Sequence, residues 1–239
     1  MTSPEPRFAG IATTIGDPTR ARMLAALMGG QFLCAGELAA AAGVSPQTAS
    51  SHIARLIASE LVVLRTQGRH RYFRLADAEV AHALETLSLV AERSAGFAKW
   101  EQGAYKPLKV ARTCYNHLAG ELGVALFEGL LARDTLASAE GRLDLTAEGR
   151  AQLRAAGVDL AGAPPNGARR YAYPCLDWSE RRDHLAGPLA AALLDHCFAR
   201  HWLRRMPDSR AVLLTPAGRT GLAPWLDPSG THQLASHSS

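Results

Sequence analysis

The chain has 239 residues, room for one large or two ordinary domains, and its 47% hydrophobic composition is globular rather than disordered or fibrous. A formal net charge of +4 permits nucleic-acid binding without demonstrating it. Charges interrupt every apolar stretch before the ~18 residues of a membrane helix, Met1 to Pro6 lacks the apolar core of a secretory signal, and four cysteines make no disulfide framework, so a cytoplasmic protein is expected.

From Phe8 the pattern is helical up to Gly16-Asp17-Pro18, where Asp17 is a cap and Pro18 opens a second helix, Thr19 to Met28. Gly29-Gly30 ends that helix, and Cys34 to Ala42 reads as a short third helix before the tight turn at Gly43-Val44. Ser45-Pro46 opens a fourth. Its Ala49, Ile53, Leu56 and Ile57 recur at core-facing helical spacing. The other face carries Gln47, Thr48, Ser51 and Arg55, with Ser45 and His52 adjoining. Short donors and acceptors with one arginine are what base edges and phosphates in a major groove require.

Two strands are expected next, Leu61 to Arg65 and Arg71 to Leu75, joined by Thr66 to His70. Arg69, His70 and Arg71 beside the Gly68 tip make this hairpin a wing for phosphates or the minor groove. Between Arg55 and Arg74 five arginines stand against one acid, Glu60, so the positive charge is concentrated on these elements. A long amphipathic helix, about Asp77 to Ala95, carries Val80, Leu84, Leu87, Leu89 and Val90. One small domain cannot cover that stripe, so pairing of two copies through this helix and the N-terminal one is expected.

The segments Asp17-Pro18-Thr19-Arg20, Gly36-Glu37-Leu38-Ala39, Gly43-Val44-Ser45-Pro46-Gln47-Thr48-Ala49-Ser50-Ser51-His52-Ile53 and Gly68-Arg69-His70-Arg71-Tyr72-Phe73 resemble the ArsR/SmtB repressors. The likeness covers residues 8 to 95 and implies a winged helix-turn-helix homodimer. It implies repression at an inverted repeat of double-stranded DNA, altered by a signal. The family's metal sites do not carry over. Cys34 matches the first position of a Cys-x-Cys pair, but Gly36 fills the second. Asp77, His82 and Glu85 lack the second downstream histidine of the zinc- and nickel-type sites.

The short members of that family would end near residue 100. The rest of this chain contains a duplication: His117-Leu118-Ala119-Gly120 recurs as His184-Leu185-Ala186-Gly187, and Leu145-Thr146, Gly149-Arg150 and Leu153 recur as Leu214-Thr215, Gly218-Arg219 and Leu222. Each unit reads as helix, hairpin and threonine-capped helix. The fold expected is therefore mainly α with small β-hairpins (α+β). Residues 1–99 form the winged helix-turn-helix and dimerisation domain. Residues 100–228 form a sensor domain of two units, about 112–160 and 173–226, hinged at Ala161 to Arg169, with a disordered tail at 229–239.

Cys197 aligns with Leu130 and reads as a core thiol, whereas Cys114 and Cys175 precede the two His-Leu-Ala-Gly motifs. Two units packed about a two-fold would bring Cys114, His117, Cys175 and His184 together, a set suited to zinc or another soft ion or to redox thiols. The motifs are taken as helix starts, which would lower the thiol pKa. The alternative is packing alone, with the histidines capping and the cysteines as small buried hydrophobes. The insert Leu176 to Asp183 makes the halves unequal. Trp178, Trp202, Trp225, Tyr115, Tyr171 and Tyr173 are a further option as lining for an apolar effector pocket. No phosphate loop, nucleophile elbow or paired zinc-protease histidines occur, so no enzyme is expected. An enzyme-like thiol module or a purely structural or protein-interaction module are the rival readings of the second half.

Overall fold

The computed structural model describes residues 8–95, 106–139, 142–160, 171–207 and 209–226. It divides into two compact units, Met1–Ala83 and Leu84–Ser239, so the boundary falls inside a helix rather than after residue 99.

In the first unit, α1 (Phe8–Ile15) precedes α2 (Pro18–Leu27), whose N-cap Asp17 accepts a hydrogen bond from the Arg20 backbone N–H at 3.0 Å. β1 (Leu33–Cys34) leads into α3 (Ala35–Ala42), which ends at Gly43 in the left-handed conformation. α4 (Pro46–Ala58) follows, capped by Ser45 and burying Ala49, Ile53 and Leu56. β2 (Val62–Gln67) and β3 (His70–Leu75) pair from Val62↔Leu75 to Gln67↔His70, so Gly68 and Arg69 alone make the turn. The strands are thus longer and the loop shorter than the sequence indicates. β1 adds to β3 through Leu33↔Phe73 and Cys34↔Tyr72. Cys34 was expected inside a helix but stands at the strand end, one residue before α3. Met23, Leu24, Leu27, Leu38, Leu56 and Leu75 are nearly inaccessible and form the core of this unit.

α5 (Ala78–Ala95) begins over the Asp77 carboxylate, which accepts from Val80 N–H at 2.8 Å. It is one continuous helix shared between the units. Its expected apolar stripe is only partly covered, with Leu84 buried but Leu87 and Val90 about half exposed (50% and 51%).

After α5, the described residues of the second unit resume with a short helix, α6 (Lys106–Val110). One order of elements then runs twice: hairpin, helix, hairpin, helix. The first series is β4 (Arg112–Cys114), β5 (His117–Ala119), α7 (Glu121–Ala132), β6 (Leu136–Ala139), β7 (Arg142–Leu145) and α8 (Ala147–Ala155). The second is β8 (Tyr173–Leu176), β9 (Asp183–Ala186), α9 (Pro188–Ala199), β10 (Leu203–Arg205), β11 (Val212–Leu214) and α10 (Pro216–Leu222). The expected helix–hairpin–helix unit therefore lacks its first hairpin and needs correction. His-Leu-Ala is a strand in both places, not a helix start. Gly120 and Gly187, at φ 79° and 97°, make the turn from strand into helix.

Matching sequence signals do the same work in the two series. Thr146 Oγ1 accepts from Gly149 N–H at 2.8 Å and donates to the Asp134 carbonyl; Thr215 Oγ1 accepts from Gly218 N–H at 3.0 Å and donates to the His201 carbonyl. A Cβ on Gly149 would stand 2.2 Å from the Thr135 oxygen, and one on Gly218 2.1 Å from that of Trp202. That contact explains the glycine three residues after each threonine. α7 packs on β9 and α9 packs on β5, so the halves interlock around one apolar core containing Leu122, Leu130, Leu136, Leu153, Leu189 and Leu203. Among the described residues, no helix is long and apolar enough to cross a membrane. The proposed tail and the Ala161 to Arg169 hinge lie outside the described residues.

Candidate functional site

Antiparallel pairing sets Cys114 opposite His117 and Cys175 opposite His184. Cross-strand partners project on one face, so each hairpin offers one thiol and one imidazole side by side. The interlocked packing turns these faces toward each other. One ligand atom from each of Cys114, His117, Cys175 and His184 lies within 4.8 Å of the others, and all four residues are buried. The four residues singled out from the sequence thus converge. All four cysteines of the chain are free thiols.

The histidines face each other, His117 Nε2 to His184 Nε2 at 3.1 Å. Their other nitrogens point at oxygen. His184 Nδ1 is 3.1 Å from Asp177 Oδ2 in a bent contact, and His117 Nδ1 is 3.4 Å from Asn116 Oδ1. At this distance one imidazole donates its Nε2–H to the Nε2 of the other; with both rings protonated on Nδ1 instead, the two Nε2 lone pairs would face one space, open to a cation. Two thiolates, two neutral imidazoles and a divalent ion sum to zero charge, the condition under which such a set is tolerated in a dry interior.

Further charged groups stand behind these four side chains. Asp177 is fully buried. Its Oδ2 also accepts from Gly120 N–H at 2.7 Å, and its Oδ1 accepts from Arg112 at 2.9 Å and from the Ser179 hydroxyl at 2.7 Å. Burial opposes its ionisation, but Arg112, His184 and the Gly120 N–H outweigh it and hold the carboxyl well below the usual range. Burial likewise disfavours a charged His184, yet Asp177 and Cys114 push its pKa up to about 9. The signal for Asp177 was the insert Leu176 to Asp183, which was expected to make the halves unequal and which curls a carboxylate under His184. Arg112 carried no sequence signal.

The thiol expectation is corrected. The hydrogen bond with Cys175, and then burial, push the Cys114 thiol up to about 12. Its motif is a strand, not the helix start expected to lower the thiol pKa. Cys197 sits in the core, and burial alone pushes it up to about 12. Of the six aromatics, Trp202 and Trp225 line one small apolar cavity in the core, Tyr171 packs on that core, Tyr173 packs beside Cys114 and Cys175, and Trp178 lies over Arg112 at 4.3 Å.

In the first unit, Ser45, Gln47, Thr48, Ser51 and Arg55 are exposed on α4. His52 is half-buried and turns its Nδ1 to within 3.5 Å of Asp17 Oδ1. Arg69, His70 and Arg71 are exposed at and beside the hairpin turn.

A family described as a helix-turn-helix domain matches residues 15–65. The uncharacterized HTH-type transcriptional regulator YdfF of Bacillus subtilis (strain 168) is 38% identical over 214 residues, spanning 90% of this chain and 94% of its own. The HTH-type transcriptional regulator CmtR of Mycobacterium bovis is 38% identical over 84 residues, 35% of this chain and 70% of that protein. Among solved structures, the cadmium metal-sensor CMTR of Mycobacterium tuberculosis is 37% identical, covering 33% of this chain and 81% of that one, with a TM-score of 0.30.

Proposed function

Because the chain belongs to the ArsR family of winged helix-turn-helix transcriptional regulators, we propose that it is a cytoplasmic homodimeric repressor whose second unit senses a soft divalent metal such as zinc. The observation that carries the sensing half is the convergence of Cys114, His117, Cys175 and His184 in the interior. The name of the CMTR relative, a cadmium metal-sensor, agrees in kind. The ligand set differs, since the sequence lacks that family's Cys-x-Cys pair and offers a second-unit site instead.

DNA binding uses the exposed polar face of α4 for base edges and the wing for phosphates. Repression at an inverted repeat follows from two-fold pairing. Support for pairing comes from α1, which buries none of its residues within one chain, and from Leu87 and Val90, half exposed on α5. The duplication read in the sequence is supported by the twin threonine caps and the twin Cys–His strand pairs.

Metal binding is favoured over redox chemistry, because a buried thiol held near 12 is a poor nucleophile toward oxidants until a cation draws off its proton. The chain is read as no enzyme, since four protein ligands fill a tetrahedral ion and leave no open position for substrate.

Elemental analysis and native mass spectrometry of the purified chain test the reading. One zinc per chain is expected, lost in Cys114→Ser and in His184→Ala. Fluorescence anisotropy with DNA from beside its gene should show salt-dependent binding that changes on adding zinc. A chain that binds such DNA but takes up no soft metal ion ends the sensing proposal.

A further inference from the structure

Beside its buried Ala81 and Leu84, α5 buries a charge, the carboxylate of Glu85 (2% exposed), while leaving Leu87 and Val90 half exposed. Glu85 Oε1 accepts from Arg210, and its Oε2 stands 3.9 Å from Arg112. Arg112 is wholly buried and spans between Glu85 and Asp177, with Trp178 stacked on its face. Asp177 then reaches the His184 ligand. A continuous buried series thus runs from the thiol–imidazole cluster to α5: His184, then Asp177, Arg112 and Glu85, the last three of alternating charge. Burying so many charges gains little stability over apolar packing, because desolvation offsets the attraction between them. What it supplies is a fixed geometry in which no member can shift without leaving another buried and unpaired.

We propose that Asp177 is a positioning residue for the His184 ligand and that the Asp177–Arg112–Glu85 series makes α5 the element that reads metal occupancy. This rests on the metal reading above. Asp177 holds the Nδ1 proton of His184 and aims its Nε2 into the cluster, as carboxylates behind metal-ligating histidines do. Its second oxygen is committed to Arg112, so a change in the His184 ring on coordination is passed to that guanidinium and on to Glu85. α5 begins at Ala78 in the first unit and passes without a break into the second. A shift or a stiffening at Glu85 therefore acts on a helix that the DNA-binding unit also owns.

The experiment compares the full-length parent, Asp177→Asn and Glu85→Gln. Zinc affinity is read by competition with a chromophoric chelator, and operator affinity is read with zinc and with the chelator in excess. The parent should change operator affinity by about 10-fold or more on zinc binding, within the usual range of allosteric coupling. Asp177→Asn should weaken zinc binding by about 10- to 100-fold. Glu85→Gln should keep the parent's zinc affinity and its metal-free DNA affinity, yet respond to zinc by less than about 3-fold, the mark of lost coupling. Arg210→Gln, which withdraws the other partner of Glu85 at a less buried position (13% exposed side chain), should repeat that loss should Glu85→Gln fail to fold by circular dichroism. A full zinc response in a folded Glu85→Gln or Arg210→Gln chain overturns the relay, and so does parental zinc affinity in Asp177→Asn. A parent that binds zinc without any change in DNA affinity overturns the relay and spares the metal site. A parent that binds no zinc overturns the metal reading itself, before any variant is compared.

Discussion

Glycines 149 and 218 show how one hydrogen atom decides a local structure. Each donates its backbone N–H to a capping threonine while its Cα presses on a carbonyl of the preceding hairpin. Alanine at either place puts a methyl about 2 Å from that oxygen, and the backbone must move. Gly149→Ala and Gly218→Ala should each cost about 1–3 kcal/mol, as overpacking does, read as a lower urea midpoint at unchanged slope. Thr146→Ala and Thr215→Ala should cost about 1 kcal/mol each through the lost cap. The thiols divide as sharply. Cys34 is partly exposed whereas Cys114, Cys175 and Cys197 are buried. A thiol reagent at pH 8 should therefore label one cysteine quickly in the native chain and the other three only on unfolding. Rapid native labelling of Cys114 or Cys175 would contradict the burial that the metal reading relies on.

Among the elements, the wing and α4 carry separable tasks on the proposed DNA reading. Arg69→Ala with Arg71→Ala should weaken binding to every DNA sequence and lower the salt slope by about one unit for each lost phosphate contact. Gln47→Ala or Ser51→Ala should shift base preference at one or two positions of a selected site, with the salt slope unchanged. A wing variant that altered base preference alone would reverse the assignment. These elements were legible because their signals are local: a cap, a first-turn proline, a turn glycine and a run of apolar residues at helical spacing. The hairpins of the second unit were harder. Arg112-Thr113-Cys114 and His117-Leu118-Ala119 are three-residue strands in which every position is buried, so they show no polar–apolar alternation and merge by eye into the helix that follows. The four ligands were found through duplication rather than through secondary structure, which is why their convergence survived the misread motif. Arg112 left no trace, and Glu85 was weighed only as a metal ligand, not as the partner of a buried arginine. A buried ion pair between residues far apart in sequence looks, in one dimension, like two surface charges.

For the molecule as a whole, the exposed apolar residues of α5 are the test of assembly. Leu87→Glu with Val90→Glu should turn a dimer into a monomer in sedimentation equilibrium and reduce operator affinity steeply, because a palindrome is gripped by two recognition helices at once. A double variant that remains dimeric at micromolar concentration would place the interface elsewhere. The interlocking of α7 with β9 and α9 with β5 bears on how the protein is made. Cys175 follows His117 by 58 positions, so half of the ligand set leaves the ribosome long before the other half. Until β9 has emerged, β5 and α7 lack their packing partners, and a thiol and an imidazole can hold an ion only weakly. The first unit, whose contacts are local, is by then complete and able to meet DNA. On the proposed metal reading, an ion is held firmly only after β9 has emerged, and a product truncated before it would carry the helix-turn-helix without the completed cluster.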